Sequence, residues 1–355
     1  MADTPLPVGK LPAELLAAYI RQLPTDPSVV LGPGIGRDAA VVRLDDQLLV
    51  LKSDPITFAT DAIGWYALNV NANDVACLGA TPRWFLASVL LPEGATPALA
   101  QRILGDLAAA ANHLGVALVG GHTEITSGLD RPIVAGTMVG TLEVDHPLLS
   151  PDRARPGDAV LLVRGIAIEG TALLARECAE RLRRSLDPAL VQRCQNFLLD
   201  PGISVIAAAR LLQRTLGADL RYLHDPTEGG LATGLHELAV ACGRGLVIDE
   251  EAILVYPETV AVCEALGLDP LGLIASGALL AVVAVTSVQR ALDALRAAGI
   301  PATRLGHLDP DPSRRTLRSD SGERPLPVFP VDEVARLFAA GGCDQGDLGI
   351  ARKAR

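Results

Sequence analysis

The sequence contains little lysine, few aromatic residues and no paired cysteine motif, and each shortage argues against a class of protein. Lysine occurs only as Lys10, Lys52 and Lys353. A P-loop requires a Gly-Lys-Ser/Thr sequence, which is absent, so this kind of nucleotide site is excluded. The aromatic content of 3% means that Ala, Val, Leu and Ile form the core. None of the six cysteines forms a Cys-x-x-Cys pair, which argues against a zinc ribbon or a redox dithiol.

The charge balance and the first residues bear on partners and location. The 355 residues carry a formal net charge of −10, which argues against nucleic acid or an anionic membrane as the main partner. The same charge is compatible with sites for divalent cations. The N-terminus lacks a basic and apolar signal region, so we expect a cytoplasmic protein with reduced thiols. The uncharged stretch 270–289 is interrupted by glycine and serine, and we predict a buried strand over 279–285 rather than a membrane helix.

The pattern of apolar residues predicts both helices and strands without strict alternation, which indicates an α+β fold. The predicted helices cover 12–22, 60–79 with a cap at Thr60 or Asp61, 97–114, 168–183, 188–198, 203–216, 231–242 and 288–298. The predicted strands cover 39–44, 47–53, 84–91, 116–119, 133–144, 158–164, 246–249, 279–285 and 302–307. The polar, proline-rich segment 150–157 predicts a boundary between a domain at 1–150 and a domain at 156–340. Residues 341–355 are interpreted as a loose tail in which Cys343 is a free thiol.

A glycine-rich segment, Gly-Pro-Gly-Ile-Gly-Arg-Asp, occupies residues 32–38. It precedes a strand, whereas a Rossmann fingerprint follows one and opens a helix, so that interpretation fails. Gly34 and Gly36 would allow the backbone to approach a phosphate while Asp38 is delivered to the start of the strand. An ordinary loop with a capping aspartate explains the segment equally well.

Two further polar groups lie in otherwise apolar surroundings. Asp54, in Lys-Ser-Asp-Pro, stands at the predicted end of a strand, where either a site residue or an Asp-Pro turn is common. Residues 69–74 read Asn-Val-Asn-Ala-Asn-Asp inside a predicted helix, although these polar residues are poor helix formers. Such a cluster either binds something charged or caps another element, and we favour binding, since Asn69 and Asn73 share one helix face and Asp74 lies next to Asn73.

The remaining motifs are Gly-Gly-His-Thr-Glu at 120–124, which follows a predicted short strand, and His-Asp-Pro-Thr-Glu-Gly-Gly at 224–230, which precedes a helix. Thr227 could cap that helix, whose N-terminus would attract phosphate oxygens. Asp225 and Glu228 would repel the phosphate unless a cation lay between them. Together the motifs indicate carboxylates and Mg²⁺ around a polyphosphate.

The order of these five motifs, which span nearly the whole chain, resembles the AIR synthetase (PurM-like) superfamily. Within it, the second half is similar to the hydrogenase maturation HypE group. The resemblance implies an α+β, two-domain PurM-like fold in which the N-terminal domains of two chains pair into a dimeric β-barrel. The C-terminal domain would be an α/β sandwich, and ATP with Mg²⁺ would occupy clefts at the homodimer interface.

The same resemblance implies a set of site residues. Asp38, Asp54 and Asp74 would be catalytic acids and metal ligands, and Asp225 would be a further metal ligand. The implied nucleotide-binding residues are Gly34, Gly36, Asn73, Gly120, Gly121, His122, Thr123, Asp225 and Thr227.

The chain departs from the HypE group at three places. That group carries a C-terminal cysteine that receives a carbamoyl group, whereas residues 350–355 here contain none and the nearest cysteine is Cys343. His122 replaces an expected aspartate, and Glu228 replaces an expected arginine. The acceptor is therefore not predicted.

Three hypotheses follow for the function. The first is an ATP- and Mg²⁺-dependent enzyme that phosphorylates an amide or acid oxygen of a small or protein-bound acceptor. The second is a non-catalytic ATP-binding scaffold in a complex with a maturation protein. The third is a phosphotransferase similar to thiamine-monophosphate kinase or selenophosphate synthetase.

Overall fold

The structure is a computed structural model that describes residues 6, 8–142 and 148–343. It has the expected α+β class, with two mixed sheets and helices packed against them. The helices are α1 (Ala13–Ile20), α2 (Ile63–Cys77), α3 (Pro97–Leu114), α4 (Ile168–Glu177), α5 (Ala179–Leu182), α6 (Pro188–Asn196), α7 (Ile206–Leu216), α8 (Gly230–Cys242), α9 (Pro257–Leu266), α10 (Val288–Ala297) and α11 (Glu333–Ala339). The strands are β1 (Val29–Leu31), β2 (Ala40–Leu44), β3 (Gln47–Ile56), β4 (Thr81–Pro92), β5 (Ala117–Thr126), β6 (Ile133–Leu142), β7 (Ala159–Val163), β8 (Leu220–His224), β9 (Gly245–Asp249), β10 (Leu279–Val283), β11 (Ala302–Asp309), β12 (Arg315–Ser319) and β13 (Gly322–Pro325).

The N-terminal sheet has six strands in the order β1-β2-β3-β6-β4-β5. Helix α2 packs on one face of it, and α3 packs against α2 and β5. The opposite face carries apolar side chains that no helix of the described residues covers, and Trp84 and Leu86 are 40% and 39% exposed there. Within the part of the chain that the structure describes, β5 is an edge strand that pairs only with β4, and nine of its ten residues are exposed. This sheet therefore has one covered face and one open apolar face.

The C-terminal sheet has seven strands in the order β13-β12-β9-β11-β7-β10-β8. Every residue of β7 and β10 is buried, as expected for strands that are Val-, Leu- and Ala-rich throughout. The uncharged stretch 270–289 contains β10, so the prediction of a buried strand there is confirmed. Among the described residues, the structure contains no helix with the length and apolarity needed to cross a membrane.

Helix α2 lies at the junction of the two domains, and all of its residues except Trp65 are buried. The Asn73 amide donates a hydrogen bond to Ile203 O (2.8 Å) and accepts one from Val205 N (2.9 Å). Asn69 and Asn71 donate to backbone carbonyls one turn earlier in the same helix. The polar residues of α2 thus satisfy buried backbone groups, and Asn73 does so across the domain junction.

Several predicted boundaries agree with the structure for the expected reasons. Helix α3 covers the predicted range, because Thr96 Oγ1 accepts a hydrogen bond from Leu99 N and Gly115 ends the helix with a φ of 66°. The strands predicted at 39–44 and 47–53 are present as β2 and β3, which form an antiparallel hairpin with Asp45 in the left-handed region.

Other boundaries were predicted wrongly. Helix α2 begins at Ile63 after Ala62, not at a Thr60 or Asp61 cap, because Thr60 N and Oγ1 donate to Glu177 of α4 instead. The single helix expected at 168–183 is divided into α4 and α5. Six elements were not predicted: β1, β8, α9, β12, β13 and α11. The end of the predicted strand at Val144, and residues 344–355 of the predicted tail, lie outside the described residues.

The cysteine prediction is wrong for two of the six residues. Cys343 is bonded to Cys178, which lies between α4 and α5, whereas we expected it to be a free tail thiol. The Arg181 guanidinium also donates to Gly342 O, so the start of the predicted tail is held against α5. The other four cysteines are free and buried.

Candidate active site at the domain junction

Four aspartates from distant parts of the chain meet around Lys52. Successive residues of a strand alternate between faces, so Lys52 and Asp54 of β3 both face α2. Lys52 Nζ lies 3.3 Å from Asp74 Oδ1 and 3.7 Å from Asp54 Oδ2. Burial lowers the pKa of Lys52, but the carboxylates of Asp74, Asp54, Asp38 and Asp225 together raise it above its usual value. The structure therefore brings the four predicted acids together, although their role as metal ligands stays a prediction.

Asp38 is linked to the C-terminal domain through a chain of charged groups. Its Oδ1 lies 2.6 Å from His224 Nδ1, and His224 Nε2 lies 3.3 Å from Glu237 Oε2. Burial lowers the pKa of His224, but the Asp38 carboxylate and Glu237 raise it to about 10. The ring is therefore protonated at neutral pH, with Nδ1 donating to Asp38 and Nε2 forming an ion pair with Glu237. Glu237 also accepts a hydrogen bond from Lys10 Nζ (2.9 Å), which brings the N-terminal segment to the site.

Asp225 follows the last residue of β8 and faces the end of α2. Its Oδ1 lies 3.5 Å from Cys77 Sγ. Burial, together with the charge of Asp38, raises the pKa of Asp225 to about 8. Burial also raises the pKa of Asp74 well above its usual value, although Lys52 opposes this shift. Both effects arise because carboxylates crowd together in a place with little water.

The donor set fits a hard divalent cation. Asp38 Oδ2, Asp74 Oδ2 and Asp225 Oδ2 are buried and have no hydrogen-bond partner within the described part of the chain. A buried carboxylate oxygen without a partner is costly, and carboxylate oxygens are the ligands that Mg²⁺ prefers. One carboxylate oxygen of Asp38 and one of Asp225 lie within 4.8 Å of each other, which is close enough for both to bind one such ion.

The glycine-rich loop is explained largely by packing. Gly36 has a φ of 73°, and a Cβ atom built on it would lie 2.3 Å from Glu237 O of α8. The Tyr222 hydroxyl donates to Gly36 O from β8. Gly34 is packed against the side chain of Arg37. The loop therefore sits directly on the C-terminal domain and presents Asp38 to His224. Phosphate binding by Gly34 and Gly36 stays a prediction.

The Gly-Gly-His-Thr motif is placed differently from what we expected. Residues 120–123 lie within β5 and not in a loop after it. Across the sheet, Gly121 of β5 lies opposite Ala87 of β4. Ala87 lies opposite Gly136 of β6, and Gly136 lies opposite Asp54 of β3. Three strand spacings separate Gly121 from Asp54, or about 14 Å. The motif therefore does not join the aspartate cluster within one chain.

The Gly-Gly-His-Thr motif lies on the exposed edge of the N-terminal sheet. His122 Nε2 lies 3.1 Å from Glu124 Oε2, and both side chains are exposed. A Cβ atom on Gly121 would lie 1.9 Å from Ala87 O, so the pairing of β4 with β5 requires glycine there whether or not a phosphate binds. A shallow cavity of about 290 Å³ between β5 and α3 is lined by Gly120, Gly121, His122 and Thr123 together with apolar residues.

Thr227 does not cap the helix that follows it, contrary to the prediction. Helix α8 begins after Gly229, whose backbone N–H donates to Asp332 Oδ2 (2.6 Å). The Thr227 carbonyl accepts from Gly230 N and Ala275 N. Asn73 likewise has both ends of its amide bonded to backbone, so its evident role is to join the domains and to position its neighbour Asp74.

Four charged residues of this region were not predicted. Lys52 and His224 belong to the motifs quoted above, and their charge, opposite to that of Asp54 and Asp225, was the available signal. Glu237, seven residues into α8, carried no such signal. Nor did Glu169, which is 3% exposed in the first turn of α4. Its backbone N–H donates to Ser276 O (3.1 Å), its Oε2 has no hydrogen-bond partner within the described residues, and burial raises its pKa to about 7.

Comparison with known proteins gives consistent matches over both domains. Residues 36–142 match the family "AIR synthase related protein, N-terminal domain", and residues 155–317 match "AIR synthase related protein, C-terminal domain". The carbamoyl dehydratase HypE of Cupriavidus necator is 36% identical over 261 residues, which are 72% of this chain and 70% of that protein.

Two solved structures are similar along most of the chain. HypE in complex with ATP is 29% identical with a TM-score of 0.68, covering 83% of this chain and 89% of that chain. HypE in a HypE–HypF complex is 25% identical with a TM-score of 0.68, covering 83% of this chain and 94% of that chain.

Proposed function

We propose, from the premise that this chain belongs to the AIR synthase related protein family, that it is an ATP- and Mg²⁺-dependent enzyme of the HypE type. It would activate an amide or acid oxygen of its acceptor by phosphorylation. A carbamoyl group is the acceptor class named by its relatives. The observation that carries the proposal is the meeting of Asp38, Asp54, Asp74 and Asp225 from both domains, where three of their buried oxygens have no hydrogen-bond partner among the described residues.

The charges of the cluster support a role in phosphoryl transfer. Asp38, Asp74 and Asp225 would hold Mg²⁺ through their unpartnered oxygens, and Asp54 would complete the acidic surroundings. The bound ion would neutralise charge on the transferring phosphoryl group. The acceptor oxygen forms its bond to the γ-phosphorus as the bond to ADP breaks. Lys52 lies between Asp54 and Asp74 and would hold the two carboxylates in place.

The open face of the N-terminal sheet supports the proposed homodimer. Exposed apolar patches of this kind commonly mark protein interfaces, and an unpaired edge strand invites pairing. The face carries Trp84 and Leu86, and the edge strand carries Val119 and Ile125, which are 54% and 62% exposed. Pairing of two such sheets would cover both features. Because Gly120–Thr123 lie on this edge, their contact with nucleotide phosphates would be made in the assembled pair.

A non-catalytic scaffold remains the second candidate, because one observation favours it. The relatives of this chain are named carbamoyl dehydratases, yet Cys343 is bonded to Cys178 and the four free cysteines are buried. No exposed thiol in this chain therefore offers itself as a carbamoyl carrier. A protein partner is proposed on the likeness to HypE, which forms a complex with HypF. A cytoplasmic location also stays a proposal.

ATP turnover distinguishes the two candidates. Purified protein is incubated with ATP and Mg²⁺, with and without carbamoyl compounds, and ADP is measured. We expect Asp74→Asn to reduce turnover about 100-fold or more, since it removes a charge that faces Lys52 and the proposed ion. Asp46→Asn, at an exposed hairpin turn, is the matched control and should be unchanged. ATP binding without ADP formation under every condition would favour the scaffold.

A further inference from the structure

Two carboxyl groups at the domain junction have no evident role in the proposed magnesium site. Glu169, in the first turn of α4, is 3% exposed, and its Oε2 has no hydrogen-bond partner among the described residues. Glu228, two residues before α8, is half-buried, and its Oε1 is buried and likewise unpartnered within the described chain. Both oxygens of the neighbouring Asp332, by contrast, accept backbone hydrogen bonds. Glu169 and Glu228 therefore offer acceptor oxygens that the fold itself does not use.

Backbone hydrogen bonds bring the segments that carry these two acids together. The Glu169 N–H donates to Ser276 O (3.1 Å), and the Ala275 N–H donates to Thr227 O (3.2 Å). Thr227 immediately precedes Glu228 in the motif that also supplies Asp225 to the acidic cluster. The peptide at 275–276 therefore links the start of α4 to that motif.

Two buried hydroxyl groups near Glu169 also lack partners. The Ser276 side chain is fully buried, and its Oγ has no hydrogen-bond partner in the described part of the chain. Burial raises the pKa of Glu169 to about 7, and the Ser276 hydroxyl is near enough to oppose this shift. The hydroxyl of Tyr66, on α2, is equally buried and unpartnered there, and burial followed by the charge of Glu169 raises its pKa. Such groups are costly to bury unless a ligand satisfies them.

The charges around Glu169 indicate which ligand would do so. Besides burial, the charges that raise the pKa of its carboxyl are all negative, namely those of Asp332, Asp54 and Glu228. Burial also raises the pKa of Glu228, against the charge of Lys10. Lys10 Nζ is itself paired with Glu237 Oε1 at 2.9 Å. Because buried carboxylates need a compensating charge, a cationic group with several N–H donors suits this place, and an anion does not.

We propose that Glu169 and Glu228 bind a positively charged ammonium group of the acceptor, with the two buried hydroxyls completing the pocket. The ammonium group would donate to Glu169 Oε2 and Glu228 Oε1. Exposed Gly9 lies over this second oxygen, to which a Cβ atom would approach within 2.9 Å, so the pocket adjoins the protein surface. The inference rests on the proposed function, because it names the class of acceptor: an amide that also carries a primary ammonium group.

Three amides of equal chain length test this charge preference. β-Alaninamide, butanamide and succinamate differ in ending with an ammonium, a methyl or a carboxylate group. Their affinities are measured by ligand-observed NMR titration of the full-length protein with Mg²⁺ and a non-hydrolysable ATP analogue, at about pH 8, above the pKa of Glu169. We expect β-alaninamide to bind about tenfold or more tightly than butanamide, and succinamate to bind more weakly than either.

Variants of the two acids assign the preference to the pocket. Glu169→Gln and Glu228→Gln should each reduce the preference for β-alaninamide over butanamide to about threefold or less. Glu228→Arg should shift the preference towards succinamate, which loss of structure alone would not do. Glu264→Gln, at an exposed position of α9, is the matched control and should bind as the wild-type protein does.

The outcomes separate this inference from the proposed function. Equal affinities, stronger binding of succinamate, or binding of none of the three by the wild-type protein overturns the pocket. A preference that persists in a folded Gln variant also overturns it; circular dichroism and a urea midpoint establish folding. ATP turnover that is lost in Asp74→Asn, without an ammonium preference, would leave the proposed function intact. An ammonium preference without ATP turnover would support the pocket and refute phosphoryl transfer.

Discussion

Glu169 offers a direct measurement of how strongly the domain junction excludes water. Its side chain is 3% exposed in the first turn of α4, and burial raises the pKa of its carboxyl from 4.5 to about 7. The charges of Asp332, Asp54 and Glu228 add to this shift, whereas Ser276 opposes it. The perturbation we consider is Glu169→Gln, which keeps the shape of the side chain and removes its titration.

The sign of the effect follows from the raised pKa. Between pH 4.5 and about 7 the unfolded chain loses the Glu169 proton while the folded protein retains it. The free energy of unfolding therefore falls as the pH rises through this window, and the loss is complete above it. For these two pKa values the contribution changes by about 2.5 kcal/mol between pH 5 and pH 8. The Glu169→Gln variant lacks this change. Its free energy of unfolding, relative to that of the wild-type protein, should therefore increase by that amount between pH 5 and pH 8.

Urea denaturation of both proteins at about pH 5 and about pH 8, followed by circular dichroism, measures the difference directly. Glu180→Gln, at an exposed position of α5, is the matched control. The difference in unfolding free energy between this control and the wild-type protein should be nearly the same at both pH values. A Glu169→Gln difference that is constant within about 0.5 kcal/mol across this range would refute the reasoning, because the carboxyl would then be ionised in the folded protein.

Two further predictions concern the disulfide and the open sheet face. Protein denatured without reductant should show four reactive thiols and, after reduction, six; six before reduction would exclude the Cys178–Cys343 bond. Closing a chain segment of 165 residues stabilises the folded protein by about 5 kcal/mol at most, so reductant should lower the urea midpoint. Leu86→Glu on the open sheet face should convert the proposed dimer to monomer in sedimentation experiments, whereas Val240→Glu on α8 should not. Two chains that stay paired after Leu86→Glu would place the interface elsewhere.

The sequence predicts local elements well where the signals are local. Helix α3 has a capping threonine before it and a glycine after it, and both lie within a few residues of the boundary they set. The start of α2 was predicted wrongly because Thr60, an ordinary capping residue, bonds to Glu177, which is 117 residues away. The contacts of α4 with the N-terminal domain are tertiary, so no pattern near Thr60 indicates them.

The candidate site likewise has features that local sequence signals predict and features that depend on tertiary contacts. The order of the motifs was enough to identify the four aspartates that the structure brings together. It did not indicate which basic groups balance them, because the bond between His224 and Asp38 joins residues 186 positions apart. The burial of Glu169 and the pairing of Cys178 with Cys343 depend on how helices pack, and periodicity carries no information about either. Gly121 was associated with a phosphate, whereas the close approach of Ala87 O already requires glycine there.

Asn73 and Asp74 are consecutive residues, and this adjacency has a mechanical consequence. The first is bonded to backbone atoms of the C-terminal domain, and the second faces Lys52 in the acidic cluster. Rotation of one domain against the other would pull on Asn73 and so displace the neighbouring carboxylate. The contact of Asn73 with the C-terminal domain and the position of the Asp74 carboxylate are therefore coupled through one peptide unit, and we expect a substitution that removes the Asn73 hydrogen bonds to weaken the proposed cation binding.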